Sequence, residues 1–183
     1  ITALGQLSSQ QAVSDAVTQT LPLMTGGMAQ ATAASLHGVN HIVQARQDES
    51  RGLSSGDDFV SNGNAWVKPL GSWAEQKDNN GAFGYKAQTF GVVLGADGEL
   101  SQASRLGVAV ALTHSNVDSN SGTQSAGVNS YQAIVYGSRS LKDANEINWQ
   151  ADYGYNQNKG DRHIAFAGTT ANADYSSDSF HVG

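Results

Sequence analysis

The sequence predicts an all-β chain: a long antiparallel up-and-down meander behind a helical first third, with a sheet that suits a transmembrane β-barrel. Three observations carry this. From Ala65 onward, apolar residues recur with period two, as strands with two unlike faces require. The second face of those strands holds Asn, Gln, Ser, Gly and Ala, where the outer face of a soluble sandwich would carry charge. Charged residues make up 14% of the 183-residue chain, against about 25% in ordinary soluble domains.

The first third has no aromatic residue before Phe59. Ser9 is placed to cap a helix running through Gln10–Val17, and Pro22 and the Gly26-Gly27 pair are expected to interrupt it. A second helix is expected from Met28 to about Arg46. Its side chains are small or polar, and Leu36, Val39, Ile42 and Val43 form only a thin apolar stripe. It is either a weakly amphipathic surface helix or a helix enclosed by polar walls. Residues 48–64 read as a loop.

The clearest strand is 147–155. Ile147, Trp149, Ala151, Tyr153 and Tyr155 share one face, with Asn148, Gln150, Asp152 and Gly154 on the other. In 105–114, Leu106, Val108, Val110 and Leu112 oppose Gly107, Ala109, Ala111 and Thr113. In 130–139, Tyr131, Ala133 and Val135 oppose Gln132, Ile134 and Tyr136. Residues 84–96 are mixed, and 65–75 set Val67, Pro69 and Trp73 against Lys68 and Ser72. Pro69 deletes a ladder donor, which points to a bulge. The expected connectors are a polar tip at 77–81, a compact Asp97-Gly98 link, a long loop at 116–129, a short one at 142–145 and a long one at 158–172.

Nine residues at about 3.4 Å each, tilted by ~40°, rise roughly 23 Å, close to the apolar band of an outer-membrane barrel. The lipid-facing set is then Leu106, Val108, Val110, Leu112, Ile147, Trp149, Tyr153 and Tyr155. Trp66 with Trp73 and Tyr153 with Tyr155 are placed for interfacial girdles. The alternative is a soluble β-rich adhesin or binding module, in which Leu106, Trp149 and Tyr153 are buried.

Several function classes drop out. The net charge is −6, so no basic footprint for nucleic acid exists. No cysteine is present, which removes disulfide scaffolds, thiol nucleophiles and Cys-zinc sites. No apolar run reaches the length of a membrane-spanning helix. Ile1 opens a polar stretch rather than a signal peptide, so an export signal would lie upstream.

The segment Trp66-Val67-Lys68-Pro69-Leu70-Gly71-Ser72-Trp73 resembles the opening strand of the translocator domain of type Va autotransporters. Phe90 to Asp97 resembles the second strand, ending in a Gly-x-Asp turn; Arg105–Ala111 resembles the third, and Tyr131–Gly137 the fourth. Ile164–Gly168 followed by Asp174-Tyr175-Ser176 resembles the approach to the sixth. The subgroup most similar is the serine-protease autotransporters of enterobacteria. The resemblance implies a twelve-stranded outer-membrane barrel whose lumen holds a helix joined to an upstream secreted passenger. On that reading 1–27 is a linker from the passenger, 28–63 the lumen helix and connecting loop, and 64–183 the N-terminal part of the barrel, with five to six of its strands. The helix residues Asn40, His41, Gln44 and Arg46 then face lumen-lining Gln132, Asn148, Gln150 and Asp152. The implied partners are outer-membrane lipid, the passenger, the barrel-assembly machinery and periplasmic chaperones. No cofactor is implied.

The chemical motifs are sparse. Gly52-Leu53-Ser54-Ser55-Gly56 fits G-x-S-x-G but lacks the strand-turn-helix context of a nucleophile elbow. Paired with His114, Ser54 would make a lipid hydrolase. Asp118 to Gly122 starts like a calcium loop, yet the twelfth position is Asn129 rather than Glu. His37 and His41 stand at i, i+4 without the Glu of a zinc protease, so no metal site is expected. The resemblance implies one further chemistry: in the serine-protease subgroup an Asn-Asn pair in the lumen helix is cut by Asn cyclisation, assisted by an inward carboxylate. Here Asn40 is followed by His41, Asn148 stands at the carboxylate position, and Asp152 is the nearest inward acid. An amide is no proton acceptor, so the expectation is that the chain keeps its passenger or relies on an outside protease.

Overall fold

The computed structural model describes residues 4–20, 25–49, 60–62, 64–79, 83–141 and 145–183. Two helices precede one sheet. Helix α1 spans Gln10–Thr20 and α2 spans Thr25–Glu49. The strands follow in sequence order, each antiparallel to the next: β1 Val60–Asn62, β2 Ala65–Gln76, β3 Tyr85–Ser101, β4 Ser104–Ser119, β5 Gln124–Ser140, β6 Glu146–Ile164 and β7 Thr169–Val182. This is the predicted meander, with six long strands. Ser9 caps α1 as expected, its Oγ accepting the Ala12 N–H at 3.1 Å.

Four boundaries correct the sequence reading. Gly26-Gly27 does not break α2, which begins at Thr25. A Cβ at Gly27 would lie 2.9 Å from Val117 Cγ1, so this glycine serves close approach of helix to wall. Asp97-Gly98 is no link: β3 passes through it and turns after Ser101. The 116–129 loop shrinks to a turn at 120–123, with Gly122 at φ 68°. The 158–172 loop shrinks to the 3₁₀ turn Ala165–Ala167, closed by Gly168 at φ 60°. Asn-, Ser- and Gly-rich stretches look like loop by composition. Here the ladder supplies their backbone hydrogen bonds, and strand preference follows neighbours more than identity. Strand β1 also falls inside the predicted loop. Ser54 and its motif lie outside the described residues.

Burial alternates along the strands. On β4, Leu106, Val108, Val110 and Leu112 are exposed, and Gly107, Ala109, Ala111 and Thr113 are buried. On β6, Ile147, Trp149, Tyr153 and Tyr155 point outward while Gln150, Asp152, Asn156 and Asn158 are buried. The soluble alternative needed Leu106, Trp149 and Tyr153 in a core; all three are exposed.

The outward apolar residues form a slanted belt. On β2 they run from Val67 to Trp73, and on β6 from Ile147 to Tyr155. Leu70, midway along the first stretch, maps through Gly91, Thr113 and Ser130 to Asn156, whereas the second stretch is centred on Ala151. That slide, over four strand spacings, corresponds to strands tilted by about 40° from the normal to the belt. Trp73 meets Phe90 edge-on at 5.7 Å, and Tyr131 lies opposite Tyr155 along the same border. Beyond this border the outer face turns polar and charged, with Lys86, Asn116, Asp118, Lys159 and Asp174.

Trp66 departs from the expected girdle. It points inward, 3% exposed. The inner face is also not uniformly polar. Its middle holds Trp66, Val93, Ala109, Ala111, Ile134 and Tyr136, packed on Val39 and Val43 of α2. The sheet wraps α2, which touches β2, β3, β4, β5 and β6.

Candidate functional site

The helix seat is the most developed inner surface among the described residues. At 25 residues, α2 is about 37 Å long. Its start lies near the β4–β5 turn, where Ala31 packs with Ala87, Val117 and Ala126, flanked by Met28, Ala74 and Tyr85. Midway, Ser35 Oγ and Thr113 Oγ1 are 2.7 Å apart. Val39 and Val43 then lose all solvent contact in the apolar middle. A Cβ at Gly38 would lie 2.5 Å from Leu70 Cδ1, so small residues let the helix backbone approach the wall. At the far end, Arg46 meets Asp97, beside the turn from β3 to β4.

Asp97 organises that end. Its Oδ2 accepts from Arg46 Nε at 2.8 Å and from the Tyr136 hydroxyl at 2.9 Å. Its Oδ1 accepts from Arg105 Nε at 2.9 Å. Trp66 Nε1 donates to the Tyr136 oxygen at 2.9 Å. The Asp97 side chain is 2% exposed, and a carboxylate this buried is tolerated because every approach to it is a donor. The two rings lie flat on glycines of the wall: a Cβ at Gly95 would run into the Trp66 indole, and one at Gly107 into the Tyr136 ring. Next to this group, Gln47 Nε2 donates to the carbonyls of Gly137 (2.9 Å) and Trp149 (3.3 Å).

A second polar cluster joins the middle of α2 to β6 and β7. Gln150 Nε2 donates to Asn40 Oδ1 at 2.7 Å. His181 Nδ1 lies 2.9 Å from Asp152 Oδ2 and 3.3 Å from Asn40 Nδ2. Asp152 therefore reaches Asn40 only through Gln150 and His181. Asn148 is exposed and lines a cavity of about 430 Å³ with His37, His41, Gln44 and Gln47. His41 and Gln44 are exposed there, Arg46 is buried at Asp97, and Gln132 is buried on β5 opposite Gly154.

The sequence thus names Asn40 and Gln150, which bond each other, but not Asp97 as the partner of Arg46 or His181 as that of Asp152. Asp97, followed by Gly98, reads in the sequence as a turn residue. Its parity with Val93 and Gly95 carried the signal, because all three face inward on β3. In the sequence Tyr136 has a face but no role, Trp66 reads as a girdle residue, and His181 carries no signal. His114 points outward, bonding Asn129 and Asn116. Asp118 is the penultimate residue of β4 and faces out, and Ser119 Oγ bonds Ser121 Oγ in the turn. Among the described residues no group of three His, Asp or Glu could hold a metal ion. What this arrangement does chemically is hold a helix along the inside of a curved sheet.

Residues 65–183, about two thirds of the chain, match the Autotransporter beta-domain family. The chain is 39% identical over 95 residues to an extracellular serine protease of Serratia marcescens, covering 51% of this chain and 9% of that protein. It is 35% identical over 92 residues to outer membrane protein B of Rickettsia prowazekii (strain Madrid E), covering 49% of this chain and 6% of that protein. A similar match, 31% over 97 residues, covers 50% of this chain and 6% of outer membrane protein B of Rickettsia rickettsii. The compared segment is thus under a tenth of each relative's length.

Proposed function

Because the chain belongs to the autotransporter β-domain family, we propose that it anchors an upstream passenger in the bacterial outer membrane and delivers it to the cell surface. The observation that carries this is the path of α2. It enters at the rim where Gly27 meets Val117 and Tyr85, runs inside the sheet, and brings Arg46 of its last turn beside the opposite rim. The long strands then begin from that opposite rim, with Ala65 of β2 paired to Ala96. Chain preceding α2 therefore emerges at the polar, extended rim, as a passenger pulled outward through the lumen would leave it. Outside, the slanted apolar belt meets lipid, with Leu106, Val108, Val110, Leu112, Ile147, Trp149, Tyr153 and Tyr155 as its members.

In this role the domain is a conduit and plug rather than a catalyst, and protease activity of a relative belongs to that relative. Asn40, Arg46 and Gln47 hold α2 against Gln150, Asp97 and the β5–β6 carbonyls, which keeps the pore filled after export. Assembly would call on periplasmic chaperones and the barrel-assembly machinery, since a sheet with an apolar outside does not stay soluble. The deciding experiment expresses the full-length gene and treats intact cells with trypsin. Surface passenger degraded while a detergent-extracted, heat-modifiable domain remains supports the reading; a soluble, detergent-independent protein overturns it. Asn40→Ala separates plug from self-cleavage: passenger released at the same bond rules out Asn cyclisation, and loss of that fragment alone would restore it.

A further inference from the structure

We propose that α1 is a lid that docks on the β6–β7 hairpin and closes the side of the pore mouth that α2 leaves open. Two polar contacts fix the docking, both at the C-terminal end of α1. Arg162 Nη1, from β6, donates to the carbonyl of Thr20 at 2.9 Å. That carbonyl is one of the last of α1, which has no intrahelical partner, and α1 supplies no basic residue of its own in its last turn. A cation from the barrel therefore caps the helix and meets the negative end of its dipole. Gln19 Oε1 accepts the N–H of Ala165 at 2.9 Å, in the turn that joins β6 to β7. Ala16 is 1% exposed, so an apolar contact accompanies the two bonds. An 11-residue helix is marginal alone in water, and docking is what stabilises it.

Arg162 connects this contact to a cavity. Beside the start of α2, an open pocket of about 250 Å³ is lined by Met28, Ala126, Arg162, Ala171, Ala173 and Tyr175. Along this flank α2 packs on β2 to β6, while α1 packs on β6 and the Ala165–Ala167 turn. The two helices thus divide the mouth: α2 fills its axis, and α1 covers the β6–β7 flank. Residues 10–20 then belong to the translocator and remain with it, and the passenger boundary lies before them.

The proposal rests on the pore reading, but its test separates the two. These 183 residues have no cysteine, so Gln19→Cys with Ala165→Cys gives a clean pair for a short bis-maleimide in full-length protein freed of any other cysteine. Heat-modifiability first confirms that each variant barrel is folded. Cross-linking of the pair in intact cells, absent in a Gln11→Cys/Ala165→Cys control, is expected. The leak is then read as release of carboxyfluorescein from vesicles carrying the full-length protein. Deleting residues 10–20, or Arg162→Ala, is expected to raise release several-fold, with Arg162→Lys in between. A folded barrel whose pair does not cross-link overturns the docking. A cross-linked pair with unchanged release upon deletion overturns the lid. Neither result touches the passenger-export assay, which tests the pore reading by itself.

Discussion

Arg46 and Asp97 stand 51 positions apart in sequence, and Nε of one lies 2.8 Å from Oδ2 of the other. The bond joins the last turns of the inner helix to the wall near its turn end, where Asp97 also takes Tyr136 and Arg105. Removing one member leaves the other charge buried. Asp97→Ala is therefore expected to destabilise the folded domain by about 3 kcal/mol. Arg46→Met should do less harm, because Arg105 and Tyr136 still serve the carboxylate. A double-mutant cycle on thermal unfolding in detergent checks this; additive effects of the two changes would show that the pair is not coupled.

Gly95 makes the same seat possible from the wall side. Any Cβ there collides with the Trp66 indole. Gly95→Val should cost roughly 2 kcal/mol through overpacking, and Trp66→Ala in the same chain should recover part of it. If Gly95→Val melts like the parent, the ring is not pressed on that glycine in the folded state.

The strands, their order and their two faces were legible in the sequence because period-two alternation survives burial of either face. Leu106 to Leu112 and Ile147 to Tyr155 fell on the outer face as read. Strand ends were not legible. Past the apolar belt, residues such as Asn116, Asn158 and Asn172 carry no hydrophobic signal, and only the neighbouring strand makes them β. The helix was legible as a helix but not its seat: Val39 and Val43 make a stripe too thin to reveal that Val93 and Ile134 complete it from across the wall. Asp97 was hidden by its Gly neighbour, which reads as a turn. Trp66 was misplaced because an aromatic at a strand end suits either a girdle or a glycine notch, and only Gly95 opposite decides.

Val108 sits within the belt on β4, 55% exposed with Ala96 and Val135 as its pairs. Val108→Arg should destabilise the inserted barrel by about 2–4 kcal/mol. On the same face beyond the aromatic border, Asn116→Arg should change stability by less than about 0.5 kcal/mol. Equal effects of the two, in reversible folding into bilayers, would mean that the belt does not meet lipid.

Asp78 ties two outer connections together. Its Oδ1 accepts the Gly84 N–H at 2.7 Å and Asn120 Nδ2 at 2.9 Å. These bonds, the Gly84 amide first, hold its carboxyl below the ordinary value of 3.8. A carboxyl depressed in the folded state contributes stability that is fully present above the unfolded value and is lost as pH falls through the folded one. Hydrogen exchange at the Gly84 amide, corrected for its intrinsic rate, should therefore be slow near neutral pH and speed up below the ordinary carboxylate range. Asp78→Ala should exchange fast at neutral pH and gain no further acid dependence. Protection at Gly84 that is the same in both proteins would show that the carboxylate does not hold this end of the sheet; acid loss in the parent alone ties the effect to its one titrating side chain.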